Sequence, residues 1–136
     1  MQLSFAASAM QRRACSAGVL RTAEELGDTF YEAAARVNLG ILNVVKGDMG
    51  HAAKDFRAAL VPATQLRSTY PVVSCLDGLA AAEREDETGR AALMLAVSDS
   101  LRLRTGPPRS PAEEQMYEPY FTILRKRLDC TGREKR

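Results

Sequence analysis

ARVNLGILNVVKGDMGHAAKDFRAAL, residues 35–60, is the stretch on which the fold turns. Val37, Ile41, Val44 and Val45 fall at i, i+4, i+7 and i+8, and Leu39 and Leu42 widen the stripe, the spacing of an amphipathic helix. The spacing predicts a helix from Ala34 to Val45 that is apolar over most of its circumference and therefore sits between neighbours. Gly47-Asp48 follows: glycine enters the left-handed region at a helix end without a Cβ penalty, and aspartate caps the next helix. That helix, Met49 to Arg67, carries Ala52, Phe56, Ala59, Leu60 and Ala63 on one side. Pro62 lies inside the pattern, where it removes a backbone hydrogen bond and is expected to kink the helix.

The same punctuation extends outward in both directions. Upstream, Leu3 to Leu26 reads as a helix ended by Gly27, with Asp28 or Thr29 as the next cap and Thr29 and Glu32 at capping-box spacing. Downstream, Tyr70-Pro71 opens a helix through Leu76, Leu79 and Ala80, which loses its apolar signal in the charged run Glu83 to Glu87. After Thr88-Gly89, residues Ala91 to Arg104 form another, with Ala92, Leu95 and Val97 to Leu101 expected inward. Thr105 to Arg109 is a Gly/Pro loop. Ser110, Pro111 and Glu113 then give an N-cap, a first-turn proline and a capping-box carboxylate. The last helix is expected to run to about Leu128, bent at Pro119, before a frayed end.

Composition agrees with an all-α chain. The 136 residues are 46% hydrophobic and only 6% aromatic, without Trp, and the apolar share is mostly Ala and Leu, which suits close helix packing. A net charge of +2 gives little of the electrostatic footprint that nucleic acid requires. No apolar run reaches about 18 residues, so no membrane span is expected, and residues 1–10 lack the basic start of a signal peptide. Cys15, Cys75 and Cys130 are odd in number and widely spaced, as reduced thiols of a cytoplasmic protein would be.

Self-similarity is present with a degenerate period. A shift of 40 places Leu20 on Leu60, Ala23 on Ala63 and Leu39-Gly40 on Leu79-Ala80, and a shift of 39 places Ala52, Phe56 and Ala59 on Ala91, Leu95 and Ser98. Asn38-Leu39-Gly40, Gly47-Asp48, then Ala52, Phe56 and Ala59 resemble one tetratricopeptide repeat. The pattern departs from the family at Arg36 and Asn43, where aromatic residues are favoured. Across roughly residues 14–129, AEELGD (23–28), residues 35–60, CLDGLAA (75–81), GRAALMLAVSDSLRLRTGPP (89–108) and PAEEQMYEPYF (111–121) are similar to the C-terminal helical-repeat region of LuxR-like and SARP-like bacterial transcriptional regulators. That resemblance implies a non-enzymatic sensory or scaffolding segment. The regulators' other signatures, a GxxxxGK[ST] loop and a basic recognition helix, are not found here.

Together these readings predict a single all-α domain over 1–129, with tetratricopeptide-like hairpins of about five to six helices in a right-handed solenoid, a C-terminal capping helix, and a flexible basic tail over 130–136. The first helix lacks a full partner, so self-association through residues 3–26 or a further N-terminal region is expected. His51 is single and reads as a surface residue, Cys75 as a packed thiol, and Glu83, Glu85, Asp86 and Glu87 as a solvated helix end. No catalytic, metal or cofactor site is expected. The concave side, lined by the first helices of the hairpins, is the expected partner-binding surface. It points to Asn38, Ile41, Ser74, Asp77 and Arg84, and the partner is expected to be a protein or a second copy. The competing reading is direct nucleic-acid or small-ligand binding, through the basic cluster Arg125, Lys126, Arg127, Arg133, Lys135 and Arg136 or an inter-hairpin pocket.

Overall fold

The computed structural model describes residues 2–105 and 108–134, and side chains for residues 12–13, 15–105 and 108–129. Every regular element among them is a helix: α1 (Gln2–Leu26), α2 (Thr29–Lys46), α3 (Met49–Gln65), α4 (Thr69–Ala82), α5 (Thr88–Thr105) and α6 (Pro111–Glu134). Thus α6 continues past Leu128 into the segment expected as a tail, and the side chains of 130–136 lie outside the described residues. The middle of the Thr105–Arg109 loop, 106–107, lies outside them as well.

The first two junctions are built alike. Gly27 and Gly47 take φ of +69° and +86°, and the N–H groups of Asp28 and Asp48 reach back to Ala23 O at 2.9 Å and Asn43 O at 2.8 Å, closing each helix in a Schellman-type turn. Each aspartate then caps the following helix, Asp28 Oδ1 accepting from the Tyr31 N–H and Asp48 Oδ1 from the His51 N–H. The Thr29–Glu32 capping box does not form, because Asp28 occupies the cap and Glu32 instead accepts from Arg36 Nε at 3.4 Å. At α6 half of the expected capping box forms: Ser110 Oγ accepts from the Glu113 N–H, while the Glu113 carboxylate accepts from the Ser110 hydroxyl at 3.2 Å instead of from its backbone N–H. Both Pro62 and Pro119 are carried inside continuous helices.

Packing follows chain order with one addition. α2 packs on α1, α3 and α4, and α4 packs on α3, α5 and α6, so the even-numbered helices touch one another as well as their sequence neighbours. The centre is Phe56, fully buried, with its ring between Gly40 of α2 and Gly78 of α4. A methyl group added at Gly40 would stand 2.7 Å from Phe56 Cζ, and one at Gly78 would stand closer still. Glycine at these two positions is what lets the helices approach the ring.

This sandwich corrects the offset expected between α2 and α4. Gly78, not Ala80, stands where the first hairpin has Gly40, an offset of 38. With it Ala33, Ala35 and Val37 fall on Pro71, Val73 and Cys75, all buried. The offset of 39 holds for α3 and α5, whose buried sets are Ala52, Ala53, Phe56, Ala59 and Ala63 against Ala91, Ala92, Leu95, Ser98 and Arg102. Val45 and Val97, expected inside, are exposed, since the actual stripes run through Val44 and Ser98. The tetratricopeptide departures are polar ties: Arg36 reaches Glu24 of α1 at 3.0 Å, and Asn43 accepts from Arg13 of α1 and donates to Asp55 of α3.

Candidate functional site

The structure divides the five expected site residues. Asn38, Ile41 and Ser74 line one cleft of about 170 Å³ between α2, α4 and the first turn of α6, whereas Asp77 and Arg84 lie elsewhere. The cleft follows from helical spacing. On α2, Phe30, Ala34, Val37, Asn38 and Ile41 stand at i, i+4, i+7, i+8 and i+11, and on α4 Tyr70, Pro71 and Ser74 stand at i, i+1 and i+4. Each set forms one helical face. Glu113, the third residue of α6, closes the set.

Most of the cleft wall is apolar. Phe30 and Tyr70 are 55% and 47% exposed. Among the polar lining groups, Ser74 Oγ is screened from solvent and has no hydrogen-bond partner among the described residues. A buried hydroxyl left in that state costs about 1–3 kcal/mol. Glu113 accepts from the Ser110 hydroxyl, and no cation is paired with it among the described residues. A volume near 170 Å³ is of the size that admits one ring or one long side chain, by comparison with apolar cavities of about 150 Å³ that take benzene.

Asp77 was expected on an open surface and is fully buried. It accepts from Ser98 Oγ at 2.6 Å and Arg102 at 2.7 Å, and it takes a bidentate pair from Arg109 at 2.7 and 2.8 Å. At offsets of 38 and 39, Asp77, Ser98 and Arg102 stand where α2 and α3 carry Leu39, Ala59 and Ala63. Arg109 also reaches Asp99 at 2.9 Å and lies 4.9 Å from the Phe121 ring centroid. Burial works against the Arg109 charge, but its bonds to Asp77 and Asp99 outweigh it and raise its pKa. Tyr117 is buried beside this network, and its phenol is pushed up by burial and then by the Asp77 charge.

Arg84 is half-buried, its guanidinium 4.0 Å from the Tyr120 ring centroid and bonded to Ala81 O at 2.7 Å. It therefore holds α6 to α4 instead of facing a groove. Glu83, expected in a solvated helix end, is buried and accepts from Arg57 and Arg90, because the end of α4 is clasped between α3 and α5. Missed in the sequence were Phe30, Tyr70 and Glu113. Phe30 stands one turn before Ala34 and Tyr70 one turn before Ser74, so extending each stripe by one turn would have found them. The approach of Glu113 depends on a loop that periodicity does not reach.

The remaining chemistry-bearing groups are occupied structurally. His51 is exposed, its Nδ1 2.7 Å from Asp48 Oδ2, and the bond from the His51 N–H heads the causes that hold the Asp48 carboxyl below its usual range. Burial pushes the Cys75 thiol up to about 12, which keeps it protonated and poorly nucleophilic at neutral pH. Among the described residues no three metal-ligating side chains converge, and no helix is long and apolar enough to cross a membrane. A wider groove, about 650 Å³, runs between α1 and α2 past Cys15, Val19, Leu26 and Tyr31, on the described part of the helix expected to self-associate. Compared with protein-family models, with curated proteins and with solved structures, the chain has no match in any of the three.

Proposed function

We propose that the chain is a non-enzymatic protein-interaction module, a tetratricopeptide-like right-handed stack of helical hairpins, and that it holds a segment of a protein partner in the α2/α4/α6 cleft. The observation that carries this reading is the cleft itself. Two large aromatic rings are left half-exposed around an apolar slot that also contains a screened hydroxyl without a partner, and both features become favourable only when something fills the slot. The matched burial of α2–α3 and α4–α5 supports the hairpin reading, since each hairpin alone leaves a face open that the next one covers. The resemblance of residues 35–60 and 89–121 to regulator repeat regions supports placing the module in a bacterial transcriptional regulator of the cytoplasm.

Nucleic acid is the weaker reading because the net charge is only +2 and one of the basic residues of α6, Arg125, is paired with Asp99 at 3.2 Å. The test is panning of a phage-displayed random peptide library on the whole chain, followed by binding of the enriched peptides to Ile41→Lys. Ile41 is only partly buried, so the lysine blocks the slot at little cost to folding. Enriched peptides that bind the native chain and not the variant are the expected result. Failure to enrich any peptide, or enrichment indifferent to Ile41→Lys, overturns the proposal.

A further inference from the structure

Resting on that reading, the chemistry of the cleft also specifies its occupant. We infer that it takes a cationic side chain, arginine or lysine, presented by a basic segment of the partner protein. Three groups of the lining can accept hydrogen bonds: the Ser74 hydroxyl, whose Oγ has no partner among the described residues, the Glu113 carboxylate and the Asn38 amide oxygen. The lining contains no Lys, Arg or His, so no cation of the chain faces these acceptors within it. Acceptors gathered without cations create a site for a donor-rich positive group.

The walls fit the rest of such a side chain. Val37, Ile41 and Pro71 offer apolar surface to an aliphatic stem, which arginine and lysine bury while keeping their heads polar. Phe30 and Tyr70, both half-exposed, offer ring faces to the charge. The carboxylates Asp77, Glu83 and Asp99 each hold arginines of this chain, whereas Asp28 and Asp55, like Glu113, are half-buried with neutral partners. Glu113 holds only the Ser110 hydroxyl through one oxygen, so its charge is the one on this face without a counterion among the described residues.

Glu113 also supplies a clean variant. Glu113→Gln removes the charge but leaves the bond from the residue-113 backbone N–H to Ser110 Oγ that caps α6, so α6 retains its start. The experiment uses fluorescein-labelled hexapeptide sublibraries, each with one residue type fixed at one position, titrated with the whole chain and read by fluorescence anisotropy. Sublibraries with Arg or Lys fixed are expected to bind about tenfold more tightly than those with Leu or Glu fixed, to weaken as salt is raised, and to lose that margin in Glu113→Gln and in Phe30→Ala. A preference for Leu or Phe that Ile41→Lys abolishes would overturn this inference and leave the interaction reading standing. An Arg or Lys preference that persists in Glu113→Gln would overturn it too, because the charge would then be read elsewhere. Binding that no cleft variant alters would overturn both.

Discussion

Replacing Asp77 with alanine is expected to destabilise the protein severely. Asp77 is fully buried and carries the negative charge shared by Arg102 and Arg109, whose side chains are only 7% and 8% exposed. Removing it takes the shared carboxylate from two nearly buried guanidinium groups, of which Arg109 keeps Asp99 at 2.9 Å, and removal of one partner from a buried ion pair costs about 3–5 kcal/mol. Against a total stability of about 5–15 kcal/mol for a domain, that is a large share. In urea, with a slope of about 2 kcal/mol/M, the unfolding midpoint should fall by about 2 M. The paired experiment replaces the whole network with the residues the first hairpin uses, Asp77→Leu, Ser98→Ala and Arg102→Ala, together with Arg109→Met. Since buried ion pairs barely recover their desolvation cost, this fourfold variant should lie within about 2 kcal/mol of the native chain and above Asp77→Ala. Far-UV circular dichroism during urea titration reads both. A loss below about 1 kcal/mol for Asp77→Ala would refute the reasoning, because a surface carboxylate behaves that way.

Three further outcomes test the packing. Gly78→Ala gains about 1 kcal/mol of helix propensity but drives a methyl group into the Phe56 ring, at an overpacking cost of about 1–3 kcal/mol or more. The variant should melt lower than the native chain and recover when combined with Phe56→Leu, while a higher melting temperature would mean that the ring moves freely. Glu83→Gln should cost about 1–2 kcal/mol, reduced because Arg57 and Arg90 are each more than half exposed, and the loss should be measurable by chemical denaturation. Cys75 should resist a thiol reagent at pH 8 until urea unfolds the chain, whereas exposed Cys15 reacts at once. The Cys75 thiol stands at about 12 in the folded protein against an ordinary 9.0, so the folded state favours the protonated form. Its contribution is complete below pH 9 and is lost as pH rises toward 12; native stability should fall in that window more steeply than that of Cys75→Ala.

How far the sequence could be read depended on whether the deciding contact was local. Gly27-Asp28, Gly47-Asp48 and Ser110-Pro111-Glu113 set helix ends through bonds within about five residues, so their chemistry is visible in the string. The α3/α5 offset was legible because Phe56 and Leu95 are large and few. The α2/α4 offset was not, because Gly78, Ala80 and Ala81 are all small, and only the ring of Phe56 picks one of them. Asp77 looked like an exposed groove residue since a carboxylate in a helix ordinarily faces water. Its partners Arg102 and Arg109 lie on another helix and in a loop, at separations that no periodicity relates. Asn38, Ile41 and Ser74 fell together because they belong to the facing sides of α2 and α4, and Glu113 escaped because it arrives from α6, far along the chain from both.

The buried network and the cleft are parts of one construction. Ser74 and Asp77 stand one turn apart on α4, the first in the cleft lining and the second in the network. Arg109, clamped to Asp77, immediately precedes Ser110, which caps α6, and Ser110 in turn bonds Glu113. A continuous series of bonds thus runs from the α4 interior through the loop to the carboxylate at the cleft. Hydrophobic residues can replace a buried ionic network at little cost in stability, but they could not hold the end of the loop in a fixed bidentate geometry. That difference gives a physical reason for the second hairpin to carry Asp77, Ser98 and Arg102 where the first carries Leu39, Ala59 and Ala63. The polar core fixes where α6 begins, and where α6 begins decides whether Glu113 reaches the cleft.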